Sequence, residues 1–292
     1  MINCDSADNG IFCVFVTHNP SQNIGKIVKF TLGQVANIII VDNDSDAEKK
    51  LILNKLAEEY PNRITIIFNH TNLQFAAAMN IGIKAAIDKS AKYILQLNDD
   101  NYLSDGAVDS MLQCFEMESQ KTIGIVAPTV IIDKSQDFIP TSKLTDHQLI
   151  ASAGMLISAE TFKTIGYYDE DLVIGYDDYD LSLRAYYMGY RCVVTGSAAL
   201  YANLGRMEKK RLVRKNILVF NYSPIRRFYA ARNGIFLLKR WRKSKDLYEW
   251  VKWWEINSLI GVVFFEEDKL RKLALTLSGY VAGLRNKMGY KL

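Results

Sequence analysis

Two hydrophobic rhythms alternate along the first two-thirds of the chain. Continuous apolar runs rich in β-branched and aromatic residues, "IFCVFVTHN" (11–19), "NIIIVDNDS" (37–45), "ITIIFNH" (64–70), "YILQLNDD" (93–100) and "IGIVAPTVI" (123–131), predict strands. Between them, Ile24 to Gly33, Ala47 to Tyr60, Ala76 to Ser90 and Asp105 to Glu118 predict helices. Strand and helix in alternation imply an α/β fold with a mostly parallel sheet covered by helices on both faces. In such sheets ligands bind beyond the carboxyl ends of the strands.

Three strand ends finish in polar residues: Thr17, His18 and Asn19; Asp42, Asn43, Asp44 and Ser45; and Asn98, Asp99, Asp100 and Asn101. Turn formation or helix capping accounts for one or two residues in such a cluster. Adjacent carboxylates at the end of a buried strand repel one another and call for a counter-charge, a metal ion or a cationic ligand. Neither G-x-G-x-x-G nor G-x-x-x-x-G-K-[ST] occurs at these ends, so a bound nucleotide would be gripped through carboxylates and a metal. A second acidic cluster lies in "GYYDEDLVIGYDDYDLSLRAYYMGYR" (166–191). A helix from Tyr179 to Met188 would put Asp180 and Arg184 one turn apart, able to pair, with Asp177 and Asp178 just before it. Capping needs one of those two carboxylates, which leaves the other for chemistry.

The 292 residues, 49% hydrophobic and 23% charged, suffice for one large or two smaller domains. Cys4, Cys13, Cys114 and Cys192 are widely spaced without C-x-x-C, suggesting neither a zinc site nor a disulfide framework and fitting a reducing, cytosolic setting. The apolar run Ile11 to Val16 has no basic region before it, and "SLIGVVFF" (258–265) is far short of the roughly 20 residues of a spanning helix. No signal peptide and no transmembrane helix are expected. The net charge of +4 conceals a split: residues 1–204 carry 15 Lys and Arg against 25 Asp and Glu (−10), residues 205–292 carry 21 against 7 (+14). An acidic body at 1–204 and a basic, aromatic-rich helical region at 205–292 are therefore the expected domains. A basic region of this kind suits a polyanionic partner.

The order "VTHNP", "IIIVDNDS", "NLQFAAAMNIG", "LNDD", "GYYDEDLVIGYDDYDLSLRA" resembles the family 2 inverting glycosyltransferases of GT-A fold, a Rossmann-like nucleotide-sugar-binding architecture, in their bacterial rhamnosyltransferase-like branch, over about residues 11–240. The resemblance implies that Thr17, Asn19 and Asp42 hold the base and ribose of a nucleotide-sugar, with Asn43 and Ser45 shaping that loop. Asn80 would line the donor site. The "NDD" at 98–100 falls at the family's D-x-D position with Asn98 for the first Asp, implying Asp100 as ligand to Mg or Mn and Asp99 close by; hard oxygen donors suit either ion. Asp178 matches the family's general base and Asp177 its neighbour. Two positions depart from the pattern. Gln74 stands where Gly is usual, and Ala202 in "LYANLG" where many members place a His, which predicts that Ala202 faces a solvent-filled site.

"NYSPIRRFYAARNGIFLLKRW" (221–241) opens with Ser223 as expected N-cap and Pro224 at the first helical position. It resembles the branch's "R-x-Y/F-Y-x-x-R-N" helix near donor and acceptor, so Arg226, Arg232 and Asn233 take the matching positions. Farther on, Trp, Tyr, Leu and Lys mix on helices, as at an anionic membrane surface. Packing of Trp250, Trp253 and Trp254 on the body or in a homo-oligomer is the alternative. No motif supports nucleic acid as partner. The expected enzyme moves a deoxysugar or hexose, such as rhamnose, from a dTDP- or UDP-linked donor to a lipid-linked or polysaccharide acceptor at the cytoplasmic membrane face. The competing reading is a non-catalytic nucleotide- or glycan-binding protein that kept the fold. A sugar-nucleotidyltransferase would need a Gly-rich basic signature that the first strand lacks.

Overall fold

The computed structural model describes residues 9–117, 120–132, 137–202, 207–212 and 215–289. Two compact units emerge: residues 1–168 with 181–203, and residues 169–180 with 204–292.

In the first unit four parallel strands, β1 (Ile11–Thr17), β2 (Asn37–Asp42), β3 (Ile64–Phe68) and β4 (Tyr93–Asn98), lie in the order β3-β2-β1-β4. Each is followed by a helix or turn, respectively α1 (Ile24–Leu32), α2 (Ala47–Glu59), α3 (Gln74–Asp88) and a turn into β5 (Tyr102–Leu103). The order continues past β4 with β8 (Leu156–Ser158), antiparallel to β4 and to β6 (Ile123–Ile131), and then β9 (Arg191–Tyr201), parallel to β6. The short β5 and β7 (Leu144–Asp146) pair antiparallel with β9. Helices α4 (Ala107–Glu116) and α5 (Ala159–Ile165) complete this part of the chain.

Period-two alternation along β1 and β2 divides their side chains between two cores. Ile11, Cys13, Phe15, Ile38 and Ile40 pack with Val28, Leu53 and Met111 of α1, α2 and α4. Phe12, Val14, Ile39 and Val41 pack with Met79 and Ile83 of α3 and with Leu181 and Ala185 of α6 (Asp177–Tyr187). Gly82 lets α3 lie close on the sheet, since a Cβ there would stand 2.4 Å from Cγ1 of Val14. In this register Thr17 pairs with Asp42 and Val16 with Asn98, so the three polar strand ends are level on one rim. Cys13, Cys114 and Cys192 are buried free thiols.

The second unit contains the hairpin β10 (Glu208–Leu212) and β11 (Lys215–Val219) and the helices α7 (Pro224–Arg240), α8 (Lys245–Phe264) and α9 (Lys269–Leu284). Ser223 caps α7, accepting from the Arg226 N–H at 3.3 Å, with Pro224 in the first turn as expected. Ser244 caps α8, accepting from the Leu247 N–H at 3.2 Å. Helix α9 presses against α7 through Gly279 and Gly283, where a Cβ would stand 2.4 Å from the Phe228 carbonyl oxygen and 2.5 Å from that of Arg232. Residues 169–180 belong with these helices: Asn233 donates to the carbonyls of Leu172 (2.6 Å), Ile174 (3.0 Å) and Gly175 (2.9 Å). That grip holds Val173 at φ 63°, a conformation a β-branched residue does not adopt unaided. No helix among the described residues is long and apolar enough to cross a membrane.

Candidate functional site

The rim of the first unit is built around Asp42. Its carboxylate accepts from the Thr17 hydroxyl (3.2 Å), the Ser45 hydroxyl (2.5 Å) and the Ser45 N–H (3.0 Å), and the residue is fully buried. These bonds satisfy a buried carboxylate without a cation. Asn19 lies across the same loop, its N–H donating to the Ser45 hydroxyl at 2.7 Å and its side-chain oxygen accepting from the Asp46 N–H at 2.8 Å. Asn43 is a hub. Its amide group donates to the Asn72 side chain (3.0 Å) and the Gln74 carbonyl (3.1 Å), and its oxygen accepts from Asn69 (3.1 Å) and the Leu73 N–H (3.0 Å). Asn19, Asp44 and Gln74 all have positive φ (53°, 66° and 68°), so the segments bordering this rim carry backbone strain. Gln74, where the family pattern has Gly, adopts the backbone conformation that Gly favours.

Beyond β4, Asn98 and Asp99 are half-buried and Asp100 is exposed. Burial, and then the charge of Asp100, push the Asp99 carboxyl up to about 6. Two neighbouring carboxylates so placed fit a divalent cation that completes its shell from other oxygens. No group of three or more His, Cys, Asp or Glu able to hold a metal occurs among the described residues. One or two carboxylates can hold a divalent ion when substrate phosphates supply the remaining oxygens.

In the second unit, the sequence expectation places Asp177 and Asp178 before the helix, but α6 begins at Asp177 itself, and both lie in its first turn. Carboxylates there favour the positive end of the helix dipole, which explains the earlier start. The Asp178 carboxylate accepts from the Tyr179 N–H at 2.8 Å and opens into a pocket of about 190 Å³. Tyr176, Tyr179, Tyr222, Trp250 and Trp254 wall this pocket, with Arg226 at its edge. The rings brace one another edge to face: Tyr179 against Trp250 at 5.6 Å and Tyr176 against both Tyr179 (6.0 Å) and Trp254 (6.4 Å). Asp177 is buried, and that burial, followed by the charge of Asp178, raises its carboxyl to about 8. Asp180 is also buried, accepting from the Trp241 indole N–H at 2.9 Å with Arg240 at 3.4 Å. Arg184 donates to the carbonyls of Ile165 and Tyr167, both at 2.6 Å.

Several residues singled out in the sequence lie inside the fold. Asn80 is buried and clasps the main chain of Tyr168, donating to its carbonyl at 3.0 Å and accepting from its N–H at 2.9 Å. Arg232 is fully buried and donates to the carbonyls of Gly289 (2.6 Å), Asp171 (2.7 Å) and Leu172 (3.0 Å). Ala202 packs in the core with Ala198 and Leu200, and its N–H donates to the Ile131 carbonyl at 3.0 Å. The expectation that it faces a solvent-filled site is corrected: Ala202, directly after β9, is buried among apolar side chains. Residues 203–206 lie outside the described residues. Trp254 is buried against Phe220, Tyr222 and the Arg227 guanidinium, whereas Trp253 remains 41% exposed. Sequence reading missed the aromatic pocket, although Tyr176 and Tyr179 flank the "DD" and Tyr222 precedes the α7 cap.

Comparison with known proteins agrees with this fold. The family described as Glycosyl transferase family 2 matches residues 13–172. The chain is 25% identical over 252 residues to the dTDP-rhamnosyl transferase RfbF of Shigella flexneri, covering 80% of this chain and 81% of that protein. Among solved structures, S. aureus TarS 1-349 in complex with UDP-GlcNAc superposes with a TM-score of 0.63 at 15% identity, over 94% of this chain and 81% of that one. The mannosyltransferase PcManGT from Pyrobaculum calidifontis, in complex with GDP-Man and Mn2+, superposes with a TM-score of 0.59 at 13% identity, over 94% and 75%. With more than half of the chain matched by the family, this protein belongs to glycosyl transferase family 2.

Proposed function

We propose that this glycosyltransferase moves a sugar, rhamnose from a dTDP-linked donor being the best-supported choice, onto a glycan or lipid-linked acceptor during synthesis of a bacterial surface glycan. The support for rhamnose is the similarity to RfbF across most of both chains. Thr17, Asn19, Asp42 and Ser45 form a rim suited to a nucleoside, with Asn43 bracing the loop from within. Asn98, Asp99 and Asp100 would hold a divalent ion, Mg or Mn, and Mn2+ accompanies the donor in the mannosyltransferase. When bound, that ion supplies charge neutralisation for the departing diphosphate. Asn80 and Arg232 act as positioning residues from inside the fold. Of the two arginines matched by the resemblance, Arg226 is the exposed one and would be open to substrate.

Inversion requires a base opposite the leaving group, and Asp178 is the carboxylate that opens into a pocket. The observation that carries this assignment is the contrast within the "DD" pair: Asp177 is buried and retains its proton to high pH, while Asp178 is half-buried and faces the cavity. The acceptor hydroxyl gives its proton to Asp178 as its oxygen bonds to the anomeric carbon and the bond to the diphosphate breaks. Removing such a base lowers the rate about a hundred- to ten-thousand-fold. The non-catalytic alternative drew on Ala202 as a missing ligand, and burial of that residue withdraws its support.

The decisive experiment measures donor binding and transfer separately. Asp178→Asn should bind dTDP-rhamnose as the wild type does and lose transfer; Asp100→Ala should lose both donor affinity with metal present and transfer, with the fold intact by circular dichroism. Full turnover in EDTA would remove the ion from the mechanism, and an active Asp178→Asn beside a silent Asp177→Asn would move the base to the other carboxylate. Peripheral attachment to the inner face of the membrane belongs to the same proposal. It is supported by the +14 balance of residues 205–292 and by a stripe on α9, where Leu270, Ala274, Leu277, Val281 and Leu284 are exposed at spacings of four and three, flanked by exposed Lys269, Arg271 and Arg285.

A further inference from the structure

The pocket beside Asp178 has a composition that goes beyond what a base requires. Its walls are mostly aromatic, its volume of about 190 Å³ suits a single sugar ring, and its charged side chains are the Asp178 carboxylate and the Arg226 guanidinium, beside tyrosine hydroxyls and tryptophan indole N–H groups. Apolar walls with a few convergent polar groups are the usual make-up of a small-molecule site. Aromatic faces accept the C–H face of a pyranose, and a carboxylate accepts from its hydroxyls.

Arg226 stands apart from the other arginines of α7. Arg227 reaches Glu255 at 3.4 Å, Arg232 donates to three carbonyls and Arg240 contacts Asp169 at 2.8 Å. The Arg226 guanidinium instead lies over the Tyr222 ring, 4.2 Å from its centroid, exposed and with no acidic partner among the described residues. Stacking fixes the plane of the fork while leaving its N–H edges open, the arrangement that receives a carboxylate or phosphate through two parallel hydrogen bonds. A neutral sugar gives such a cation no counter-charge.

We infer that the acceptor taken by this pocket is a pyranose carrying an oxyanion, its ring against the tyrosine and tryptophan walls, its attacking hydroxyl at Asp178 and its negative group at Arg226. This rests on the reading of Asp178 as the base of a glycosyl transfer. The oxyanion could be a sugar carboxylate or a phosphate ester on the ring, which share the same chemistry at Arg226.

Calorimetric titration of the full-length protein, without donor, separates the possibilities. The probes are methyl glucoside, methyl glucuronide, glucose 1-phosphate and dTDP. At low salt the glucuronide or the sugar phosphate should bind at least tenfold tighter than the neutral glucoside, and whichever of the two wins identifies the source of the charge. Arg226→Gln should abolish that preference while leaving the neutral sugar unchanged, and Arg226→Lys should restore part of it. Equal affinity for charged and neutral sugars, or no binding of any sugar probe, overturns the inference. So does an Arg226→Gln variant that weakens dTDP and spares the sugars, because Arg226 would then serve the donor. Failure here is distinguishable from failure of the parent reading: donor-dependent transfer that still requires Asp178 would survive the loss of anionic preference, whereas transfer independent of Asp178 would not.

Discussion

Asp177 shows how much a single carboxylate is altered by position. Its carboxyl is raised by burial first and by the neighbouring charge of Asp178 second, so between the ordinary carboxylate range and about pH 8 the native state holds a proton that the unfolded chain has released. The contribution of this group to stability is therefore present at low pH and lost as pH rises through the folded value. Asp177→Asn, neutral at every pH, should flatten the decline of Tm between about pH 5 and 8, measured by thermal melts side by side with the wild type. An unchanged slope would show that Asp177 is ionised in the native protein. The acidic pairs were legible in the sequence because carboxylates at strand and helix ends stand out against apolar runs. The difference between Asp177 and Asp178 was not, because it depends on which one Tyr176, Tyr179, Tyr222 and the tryptophans of α8 leave open. Asn43 was equally opaque: its partners at Asn69, Asn72, Leu73 and Gln74 lie 26 to 31 residues away.

Among elements, most long periodic segments of the first unit were legible, whereas the shortest strands and the 11-residue β9 were not. The five predicted strands and four predicted helices of the first unit all form, with ends moved by a few residues. Strands β5, β7 and β8 have only two or three residues each, too few to carry a period, so the antiparallel far half of the sheet was hidden. In the second unit the contact of α7 with α9 depends on Gly279 and Gly283, one helical turn apart and without side chains to hold the backbones away. Gly279→Ala would drive a methyl group toward the Phe228 carbonyl, a backbone atom that cannot rotate away. Overpacking of that kind costs about 1–3 kcal/mol, read as a lower denaturation midpoint at constant m value. A neutral result would mean that α9 can move off α7 without penalty. Arg227 is buried and its partner Glu255 is half-buried, and the Arg227 Nε and Nη1 and a Glu255 oxygen have no partner among the described residues. An orphaned buried polar group costs about 1–3 kcal/mol. Glu255→Gln should therefore destabilise the protein by about 3 kcal/mol in chemical denaturation, the penalty of leaving a buried guanidinium without its counter-charge.

At the scale of the whole molecule, charge and apolar surface are distributed unevenly. The basic hairpin and the exposed α9 stripe predict that the protein floats with vesicles containing phosphatidylglycerol and not with neutral ones. Binding should weaken as salt is raised, because each basic residue near such a surface contributes about 1 kcal/mol through a screened attraction. Leu277→Glu should reduce flotation at unchanged transfer to a water-soluble acceptor. Absence of any lipid preference would favour self-association through the same stripe. One further consequence follows from the grip of Asn233 on the carbonyls of Leu172, Ile174 and Gly175, which are 58 to 61 residues earlier in the chain. On the ribosome, where chains grow at about 5–20 residues per second, the strained turn at Val173 emerges roughly 3–12 s before the side chain that secures it. During that interval the first helical turn of α6, with the proposed base, lacks the side chain that secures the turn before it, so competence for transfer waits on the synthesis of Asn233.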